Sequence, residues 1–446
     1  MSDEKLTVEY QKAVKGVRAD KTITALVRTK LPEPDHKVLD EVRSMLWGEH
    51  LATRRSDLLS RVVRRYGEGE AFRANVEEVT KAAQDSVASA APTSCNLWLA
   101  GVVAVSGTRK EIEDLAGHED VVSVEPNPTL ELPEPLQTPL EDTPETVDGS
   151  AWGVAKIGAP EVWGGLGRGQ RVLIGHLDTG VDDSHPALAG KVTSFQEFDS
   201  LGIPVASAPH DSDRHGTHTA GTLVGRTFRG VNIGVAPEAR LASALVLPGG
   251  SGSLAQIIGG MQWTISQGAH IISMSLGGTG YSTTWNLPVF NATMAGVLVV
   301  ASIGNSGQGT SGGPGNDPLS LGVGATQYLD QVAGFSGGQT LVQVPWFIFR
   351  KTFIKPDISA PGVGVVSSVP GNELASFNGT SMAAPHVAGA AALLLSANPA
   401  LQGDPFTTRA VLLGTVEDFG EAGRDQRFGF GRLDAQSGAE QSVALR

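Results

Sequence analysis

Residues Asn378–Gly389 read NGTSMAAPHVAG, and a run of small apolar residues continues from there to Leu395. This composition predicts a buried helix with a hydroxyl, that of Ser381, in its first turn. Serine is a common helix N-cap, because its side chain accepts a hydrogen bond from a free backbone N–H. It is also a nucleophile when a base lies beside it. The rest of the chain decides between the two interpretations.

Composition restricts the classes of protein. The 446 residues suffice for two or three domains, and 40% apolar with 18% charged residues is ordinary for a globular protein. The net charge of −13 argues against nucleic acid or an anionic membrane as the main partner. The one cysteine, Cys95, excludes an intrachain disulfide and a cysteine-based zinc site, and we expect it to be a small buried residue.

The N-terminus indicates a location. MSDEKLTVEYQKAVKG is charged and lacks the apolar core of a Sec signal peptide. The longest apolar runs, near Val297–Ala301 and Ala388–Leu395, are far shorter than a membrane span. We therefore predict a cytoplasmic protein without a membrane partner, although a removed signal or another export route would leave the same sequence.

Three zones divide the chain. Residues 1–130 are charged and poor in glycine, whereas residues 151–446 are rich in glycine and in short apolar runs. Between them, 131–148 (ELPEPLQTPLEDTPETVD) contains four prolines and six acidic residues and no lysine or arginine. Such a composition cannot bury a core, so 131–150 is predicted to be an exposed linker that contains the processing site.

The first zone predicts a small α+β domain with extra helices. Thr108–Glu111 has the pattern of a capping box, in which a threonine and a glutamate three residues later start a helix. Apolar patterns predict strands at Thr22–Thr29, Asn96–Val105 and Val121–Val124. Helical spacing of apolar residues predicts helices at His36–Tyr66 and Glu70–Ala90.

The second zone predicts an α/β fold, with a mostly parallel central sheet covered by helices on both faces. In such sheets, sites form beyond the carboxyl ends of the strands. The predicted strands are Arg171–Leu177, Ala239–Leu247, His270–Met274 and Gly296–Ser302, and the predicted helices include Gly216–Val224 and Leu254–Gln267.

Three polar residues stand at such ends. Asp178 ends a strand, His215 begins a helix, and Ser381 precedes the apolar helix. Each alone has an ordinary structural explanation as a cap or a satisfied core residue. Together they meet the needs of acyl transfer, which requires a base beside the serine hydroxyl and a carboxylate to orient the base.

An oxyanion site is also predicted. The helix after Ser381 presents free N–H groups and the positive end of its dipole. Asn305 follows the apolar run 297–303 at another strand end, where its side-chain amide could be a second donor. Taken alone, Asn305 would be an ordinary turn residue.

These motifs resemble those of the subtilisin-like serine proteases, the subtilases, from about Ala151 to Leu395. The resemblance implies that Asp178 orients His215, that His215 is the general base and then the acid, that Ser381 is the nucleophile and that Asn305 donates to the oxyanion. It implies a structural role for His218. The matching motifs are DTG at Asp178, HGTHTAGT at His215, SLGG at Ser275–Gly278, the Gly304–Asn305 turn and NGTSMAAPHVAG at Ser381.

The resemblance also implies the substrate cleft. Two glycine-containing edges would hold an extended substrate backbone, which approaches closely only where Cβ is absent. The pocket for the residue before the scissile bond looks open and uncharged, so we expect a large apolar residue there. The residues concerned are Gly250, Ser251 and Gly252, then Ser275, Leu276 and Gly277, and for the pocket Ser302, Gly304 and Gly312–Asn316.

The end of the first zone, 106–128, resembles the end of the inhibitory propeptide of that family. The chain's own N-terminal domain is thus expected to inhibit it and to be removed by self-cleavage, near Leu130 or Leu132, or after Leu136 or Leu140. The helices predicted within 31–90 exceed a minimal propeptide, and they would brace the catalytic domain or form an interaction surface.

Two segments depart from the family pattern. Many members bind calcium near the position of Ala187 and in the loop 225–234, but this loop contains Arg226 and Arg229, which oppose a cation, so no metal is expected there. The segment 339–357 is longer than usual and rich in aromatic residues; its alternation predicts a hairpin, either packed on the body or exposed as an apolar patch.

The sequence thus predicts a serine endopeptidase that acts on protein or peptide substrates without a cofactor and is made as an inhibited precursor. The alternative is a binding protein with a protease fold. The presence of Asp178, His215, Ser381 and Asn305 together argues against that alternative, because a binding protein needs none of this chemistry.

Overall fold

The computed structural model describes residues 3–30, 77, 81, 83–91, 93–132, 145–346 and 349–446. The predicted helix His36–Tyr66 and most of the predicted linker, 133–144, lie outside the described residues. Of the predicted helix Glu70–Ala90, residues 83–90 are described and are helical.

An antiparallel sheet and two helices form the N-terminal unit. Its strands are β1 (Thr22–Thr29), β2 (Thr93–Leu97), β3 (Val102–Thr108) and β4 (Val121–Pro126), in the order β2-β3-β1-β4, and its labelled helices are α1 (Val8–Ala13) and α2 (Arg109–Leu115). The capping box at the start of α2 is confirmed, because Thr108 accepts from the Glu111 backbone N–H and Glu111 accepts from that of Thr108. Alternate strand residues bury a small apolar core beneath the helices.

The single strand predicted over Asn96–Val105 is wrong. The chain forms β2, a 3-10 turn at Trp98–Ala100 and then β3, which pairs antiparallel with β2. Gly101 permits the reversal because its φ of 62° is a backbone conformation that favours glycine. Apolar composition continues through the turn because Leu99 and Ala100 are themselves buried, so the pattern alone conceals the break.

The remaining strands and helices follow β4 in the chain, and all of them except β5, which continues the N-terminal unit, form the second unit. The strands are β5 (Thr129–Glu131), β6 (Thr146–Val147), β7 (Ser150–Ala151), β8 (Leu173–Asp178), β9 (Val192–Phe198), β10 (Pro204–Val205), β11 (Thr227–Phe228), β12 (Val231–Asn232), β13 (Arg240–Leu245), β14 (Ser251–Ser253), β15 (Ile271–Met274), β16 (Gly278–Thr279), β17 (Leu298–Ser302), β18 (Gly312–Gly313), β19 (Leu321–Thr326), β20 (Gln339–Trp346), β21 (Phe349–Lys355), β22 (Ile358–Pro361), β23 (Val365–Val369) and β24 (Glu373–Phe377). The helices are α3 (Trp152–Lys156), α4 (Ala159–Trp163), α5 (His215–Val224), α6 (Leu254–Ser266), α7 (Asn286–Met294), α8 (Thr380–Ala397), α9 (Pro405–Gly414) and α10 (Ala435–Ala444).

An eight-stranded sheet forms the centre, in the order β10-β9-β13-β8-β15-β17-β19-β22. All neighbours are parallel except the short edge strand β10. Successive residues of a strand point to opposite faces, and Ile271 and Ile272 accordingly belong to two different apolar clusters, one on each face. The predicted α/β fold, a mostly parallel sheet with helices on both faces, is confirmed.

Helix α8 lies at the middle of one face and is buried along its whole length. By length and composition it is the one helix in the described part of the chain that could cross a membrane, yet all 18 of its residues are buried inside the protein, as in a core helix. Its burial explains the run of alanine, because small side chains let the helix lie close against the sheet.

The N-terminal unit packs on the outer side of α6 and α7. Leu97 and Leu99 belong to the same apolar cluster as Leu254 and Val289 of those helices. Asn291 of α7 donates to the backbone carbonyl of Leu99 at 2.9 Å. The two sheets therefore share buried surface.

The predicted hairpin at 339–357 is confirmed as β20 and β21. Trp346 is completely buried in the apolar cluster that contains Leu254 and Val289, and Phe353 is nearly completely buried, which agrees with a hairpin packed on the body. Val342 is 66% exposed. The side chains of 347–349 lie outside the described residues.

Candidate active site

Asp178, His215, Ser381 and Asn305 stand at four element ends beyond the carboxyl edge of the central sheet. Asp178 is the last residue of β8, and Asn305 lies three residues after β17. His215 is the first residue of α5 and Ser381 the second of α8. Parallel strands place all of their carboxyl ends at one edge, so residues up to 203 positions apart in the chain meet there.

The structure brings His215 and Asp178 into direct contact. The His215 Nδ1 lies 2.7 Å from Asp178 Oδ1, and both side chains are almost fully buried. The Thr179 backbone N–H also donates to Oδ1, at 2.8 Å, and the Thr219 hydroxyl donates to Oδ2, at 2.9 Å. Burial alone would raise the pKa of Asp178, but the facing His215 imidazole, with smaller contributions from His176 and the Thr179 N–H, lowers it.

The contact with Asp178 shifts the pKa of the His215 imidazole in the opposite direction. Burial would lower the pKa of His215, but the Asp178 carboxylate outweighs it and raises that pKa above its ordinary value. A bond from Nδ1 to the carboxylate fixes the ring and leaves Nε2 as the nitrogen that can exchange a proton with a reacting group.

The Ser381 hydroxyl makes a different contact from the predicted one. It donates to the Ser275 backbone carbonyl at 3.2 Å rather than to the imidazole, and the Ser275 hydroxyl donates to the Ser381 carbonyl at 2.7 Å. A buried hydroxyl needs an acceptor, and the end of β15 supplies one. Contacts between a nucleophile and its base often tighten only with substrate bound.

Asn305 is held from one end only. Its Oδ1 accepts from the Thr380 backbone N–H at 2.9 Å and from the Thr380 hydroxyl at 2.8 Å. These two donors identify the oxygen end of the amide, so its NH₂ group faces away from Thr380. Helix α8 begins without a side-chain cap at Gly379, which leaves backbone N–H groups of the first turn beside that amide.

One cavity joins Ser381 and Asn305, and Asp178 and His215 are not among the residues that line it. It has a volume of about 270 Å³ and is lined by Ser381 and Asn305 together with Ser275, Leu276, Gly277, Ser302, Gly304 and Gly312. All of the predicted pocket residues but Gly313–Asn316 therefore reach it. Glu131 and Leu132 of the chain's own N-terminal part line it as well.

The edge Gly250–Gly252 is paired with the chain's own strand β5. Leu130 lies opposite Gly252, Glu131 opposite Ser251, and the Leu132 N–H donates to the Gly250 carbonyl at 2.8 Å. On the other side, a Cβ at Gly278 would lie 2.7 Å from Leu130 Cδ2. Residues 129–132 thus run between two edges as an extended strand that crosses the predicted boundary at residue 130.

His218 is structural in the conformation described. Its Nε2 bonds the carbonyls of Val365 and Ala375, and its ring stacks on Phe377. Burial lowers its pKa to about 3, so it is neutral.

The loop predicted to lack calcium contains ion pairs within the protein. Arg229 pairs with Glu373 at 3.1 Å and lies over the Phe228 ring, and the Arg226 N–H donates to the Ala187 carbonyl. Across the described ranges, no group of three or more His, Cys, Asp or Glu side chains is placed to hold a metal. The absence of calcium stays a prediction.

Sequence analysis missed His176 and Thr219, which lie behind Asp178. A polar residue within the apolar strand VLIGHLD was the available signal. His176 is 1% exposed and bonds the Thr219 hydroxyl at 2.9 Å.

A parallel α/β sheet with a buried Asp–His pair, a serine at a helix start and a cleft for an extended strand defines a serine endopeptidase. The chain belongs to the subtilase family, whose family model matches residues 169–431. It is 37% identical to alkaline elastase YaB of Bacillus sp. (strain YaB) over 75% of this chain and 84% of that protein. It is equally identical to an alkaline protease of Alkalihalobacillus alcalophilus, over 67% and 76%, and to subtilisin E of Bacillus subtilis (strain 168), over 56% and 61%.

The match to the elastase covers a larger share of the chain than residues 151–446 represent, so this similarity extends upstream of residue 151.

Proposed function

We propose that this endopeptidase cleaves peptide bonds with Ser381 as nucleophile, His215 as general base and acid, Asp178 as the orienting carboxylate and Asn305 as oxyanion donor. The observation that carries the proposal is that the buried 2.7 Å contact between His215 and Asp178 lies at the same carboxyl edge of the central sheet as the cavity lined by Ser381 and Asn305.

The chemistry follows from the contacts. Asp178 binds the Nδ1–H of His215, so Nε2 accepts the Ser381 proton as Oγ attacks the scissile carbonyl. The resulting imidazolium is stabilised by the carboxylate, which already raises the pKa of His215. The oxyanion lies between the Asn305 NH₂ group and the N–H groups of the first turn of α8 that follow Thr380, since the Thr380 N–H already donates to Asn305. His215 then returns the proton to the leaving amine, and the acyl group stays bound to Ser381 Oγ. Water, with His215 as its general base, attacks this acyl group in the same way and releases it.

The N-terminal unit is the proposed inhibitor. Strand β5 takes the place of an extended substrate against β14, and Glu131 and Leu132 line the cavity with Ser381. Self-cleavage is proposed near Leu130 or Leu132, or further along the tail after Leu136 or Leu140, which lie outside the described residues. The bond after Leu132 is unfavourable because Pro133 follows it. A cytoplasmic location and a large apolar residue before the scissile bond also stay predictions.

Covalent labelling tests the proposed nucleophile. A fluorophosphonate probe should label Ser381 in the folded chain, as read by peptide mass spectrometry, and labelling should be lost on heat unfolding. It should accelerate once the N-terminal unit is clipped away, together with hydrolysis of denatured casein. A clipped, folded chain that leaves Ser381 unlabelled and casein intact would instead be a binding protein with a protease fold.

Docking of the N-terminal unit should depend on Asn127. Its Oδ1 accepts from the Ala255 N–H in the first turn of α6, and its Nδ2 donates to the Ser200 carbonyl, both at 3.0 Å. Asn127→Ala removes both bonds, a loss of about 1–2 kcal/mol. When the processed complex is diluted, the N-terminal unit dissociates and casein-hydrolysing activity appears. The enzyme concentration at which half of this activity is released should be roughly tenfold higher for the variant.

Ser89→Ala is the control, because Ser89 is exposed in the same unit and bonds only within its own helix, to the Ser86 carbonyl. An unchanged half-release concentration for Asn127→Ala would show that these two bonds do not support inhibition.

A further inference from the structure

A second polar layer lies behind Asp178, on the side away from His215. His176 precedes Asp178 by two residues on β8 and therefore points to the same face of the sheet. Its Nε2 lies 2.9 Å from the Thr219 hydroxyl of α5, and its Nδ1 lies 3.0 Å from the Ser243 hydroxyl of the neighbouring strand β13. All three side chains are at most 1% exposed.

The hydrogen atoms in this layer can be assigned. Among the described contacts, Asp178 Oδ2 has one hydrogen-bond donor, the Thr219 hydroxyl at 2.9 Å. That hydroxyl has a single proton, so it accepts from His176 when it donates to Asp178. His176 must then carry its proton on Nε2, and its bare Nδ1 accepts the proton of Ser243. Every polar atom is satisfied in this arrangement alone.

The other tautomer breaks the chain. With the proton on Nδ1, His176 Nε2 would be an acceptor, and it would compete with Asp178 for the Thr219 proton. A buried carboxylate oxygen that loses its donor is costly. The Thr219 hydroxyl also lies 3.1 Å from the Gly216 carbonyl, so without His176 its proton has a second acceptor within its own helix.

We propose that His176 and Thr219 are positioning residues of the protease. Neutral His176, protonated on Nε2, directs the Thr219 proton to Asp178 and thereby holds the carboxylate in the plane that His215 needs. The inference rests on the proposed catalytic role of Asp178 and His215. It extends the Asp–His pair by two groups that do not touch the substrate cavity, and Ser243 completes the layer by setting the His176 tautomer.

The hydrogen bond from Thr219 also affects how strongly the Asp178 carboxylate attracts protonated His215. Thr219 withdraws part of the charge on Asp178, so loss of its hydrogen bond strengthens the attraction to protonated His215 and moves the acid limb of the kcat/KM profile to higher pH. The other titratable groups that face His215 are Asp211, Asp213 and His218, and none of them is altered by the substitutions below.

Kinetics of the processed enzyme separate a positioning role from simple packing. Thr219→Val should lower kcat about tenfold with little change in KM and should raise the acid-limb pH by roughly half a unit. His176→Leu should do the same to a smaller extent. His176→Gln should restore the parent values, because its amide donates to Thr219 and accepts from Ser243.

Thr222→Val is the matched control. Thr222 is equally buried, one turn further along α5, and its hydroxyl bonds only to the His218 carbonyl of that helix. The control should keep the parent kcat and pH profile. If Thr219→Val and His176→Leu behave like Thr222→Val, the layer is structural and the inference is wrong.

A second measurement requires no enzymatic activity and no substitution of His176, Thr219 or Ser243. In full-length Ser381→Ala with ¹⁵N-labelled histidine, NMR should find His176 protonated on Nε2 and not on Nδ1 at neutral pH. A proton on Nδ1 would overturn the inference even in a fully active protease. If the fluorophosphonate probe does not label Ser381, the proposed catalysis is wrong. The His176 tautomer can still be measured by NMR in that case, so the two proposals are tested separately.

Discussion

Ser381→Ala is expected to leave all 446 residues in one chain after expression and to reduce peptide hydrolysis by about 10⁴–10⁶-fold in kcat, the scale of loss for a nucleophile in a subtilisin, a relative of this protein. The physical reason is that the Asp178–His215 pair has no hydroxyl left to deprotonate. The cavity and the strand pairing of 129–132 do not depend on Oγ, so peptide binding should survive.

The experiment follows the N-terminus with time. The parent chain should gain a new N-terminus within 129–151 as activity appears, and Ser381→Ala should gain none. Ser266→Ala is the matched control, because Ser266 is exposed at the end of α6, where its hydroxyl donates to the Trp263 carbonyl and accepts from the neighbouring Gln267 side chain. Processing of Ser381→Ala at the parent rate in pure preparations would assign the cleavage to another group or another enzyme.

The elements that could be predicted are those whose pattern has one physical solution. Continuous apolar runs of five to eight residues bounded by glycine predict buried parallel strands, and β8, β13, β15 and β17 lie within the predicted ranges to within one residue. Where two solutions share a pattern, prediction fails. The hairpin β2–β3 has the same apolar composition as one long strand, and only the backbone conformation of Gly101 distinguishes them.

The residues of the site also divide into those that the sequence predicts and those that it does not. Asp178, His215, Ser381 and Asn305 can be proposed from the sequence because their residue types, order and positions at element ends are restricted by the chemistry. Their partners are not restricted so tightly. That Ser381 bonds Ser275, or that Thr380 orients Asn305, depends on distances of a few tenths of an ångström between elements far apart in the chain. A sequence does not specify such distances.

Buried charge is the other property that sequence analysis missed, and it underlies the largest expected effect on stability. Asp357 is completely buried between three cations. Its carboxylate lies 2.6 Å from Lys355 Nζ and 2.7 Å from both Arg409 and Arg424, and it also accepts from the Gly322 N–H at 2.8 Å. Through these contacts one side chain connects β21, β19, α9 and the segment after α9.

Asp357→Asn should destabilise the protein by about 3–5 kcal/mol, because it leaves buried positive charges without their counter-ion. The midpoint of thermal unfolding should fall by roughly 5 °C, measured by fluorescence at one heating rate in the Ser381→Ala background to prevent self-digestion. Glu373→Gln makes the same chemical change in the exposed pair with Arg229, where the two side chains are 59% and 55% exposed, and should cost less than about 1 kcal/mol.

The pH dependence of this loss has a definite sign. Burial alone would raise the pKa of Asp357, but the attraction of Arg409, Lys355 and Arg424 outweighs it and lowers that pKa. Because the folded-state pKa is lowered, the stabilisation is complete above the ordinary carboxyl pKa of about 3.9 and disappears as the pH falls through the lowered value. The difference between parent and Asp357→Asn should therefore be largest between about pH 5 and 6 and shrink in stronger acid. It should also shrink towards pH 8, because burial lowers the pKa of Lys355 to about 8 and the attraction of Asp357 is what keeps this lysine charged. A difference of less than about 1 kcal/mol at pH 7, equal to that of Glu373→Gln, would mean that solvent enters the cluster and that it does not behave as a buried ion network.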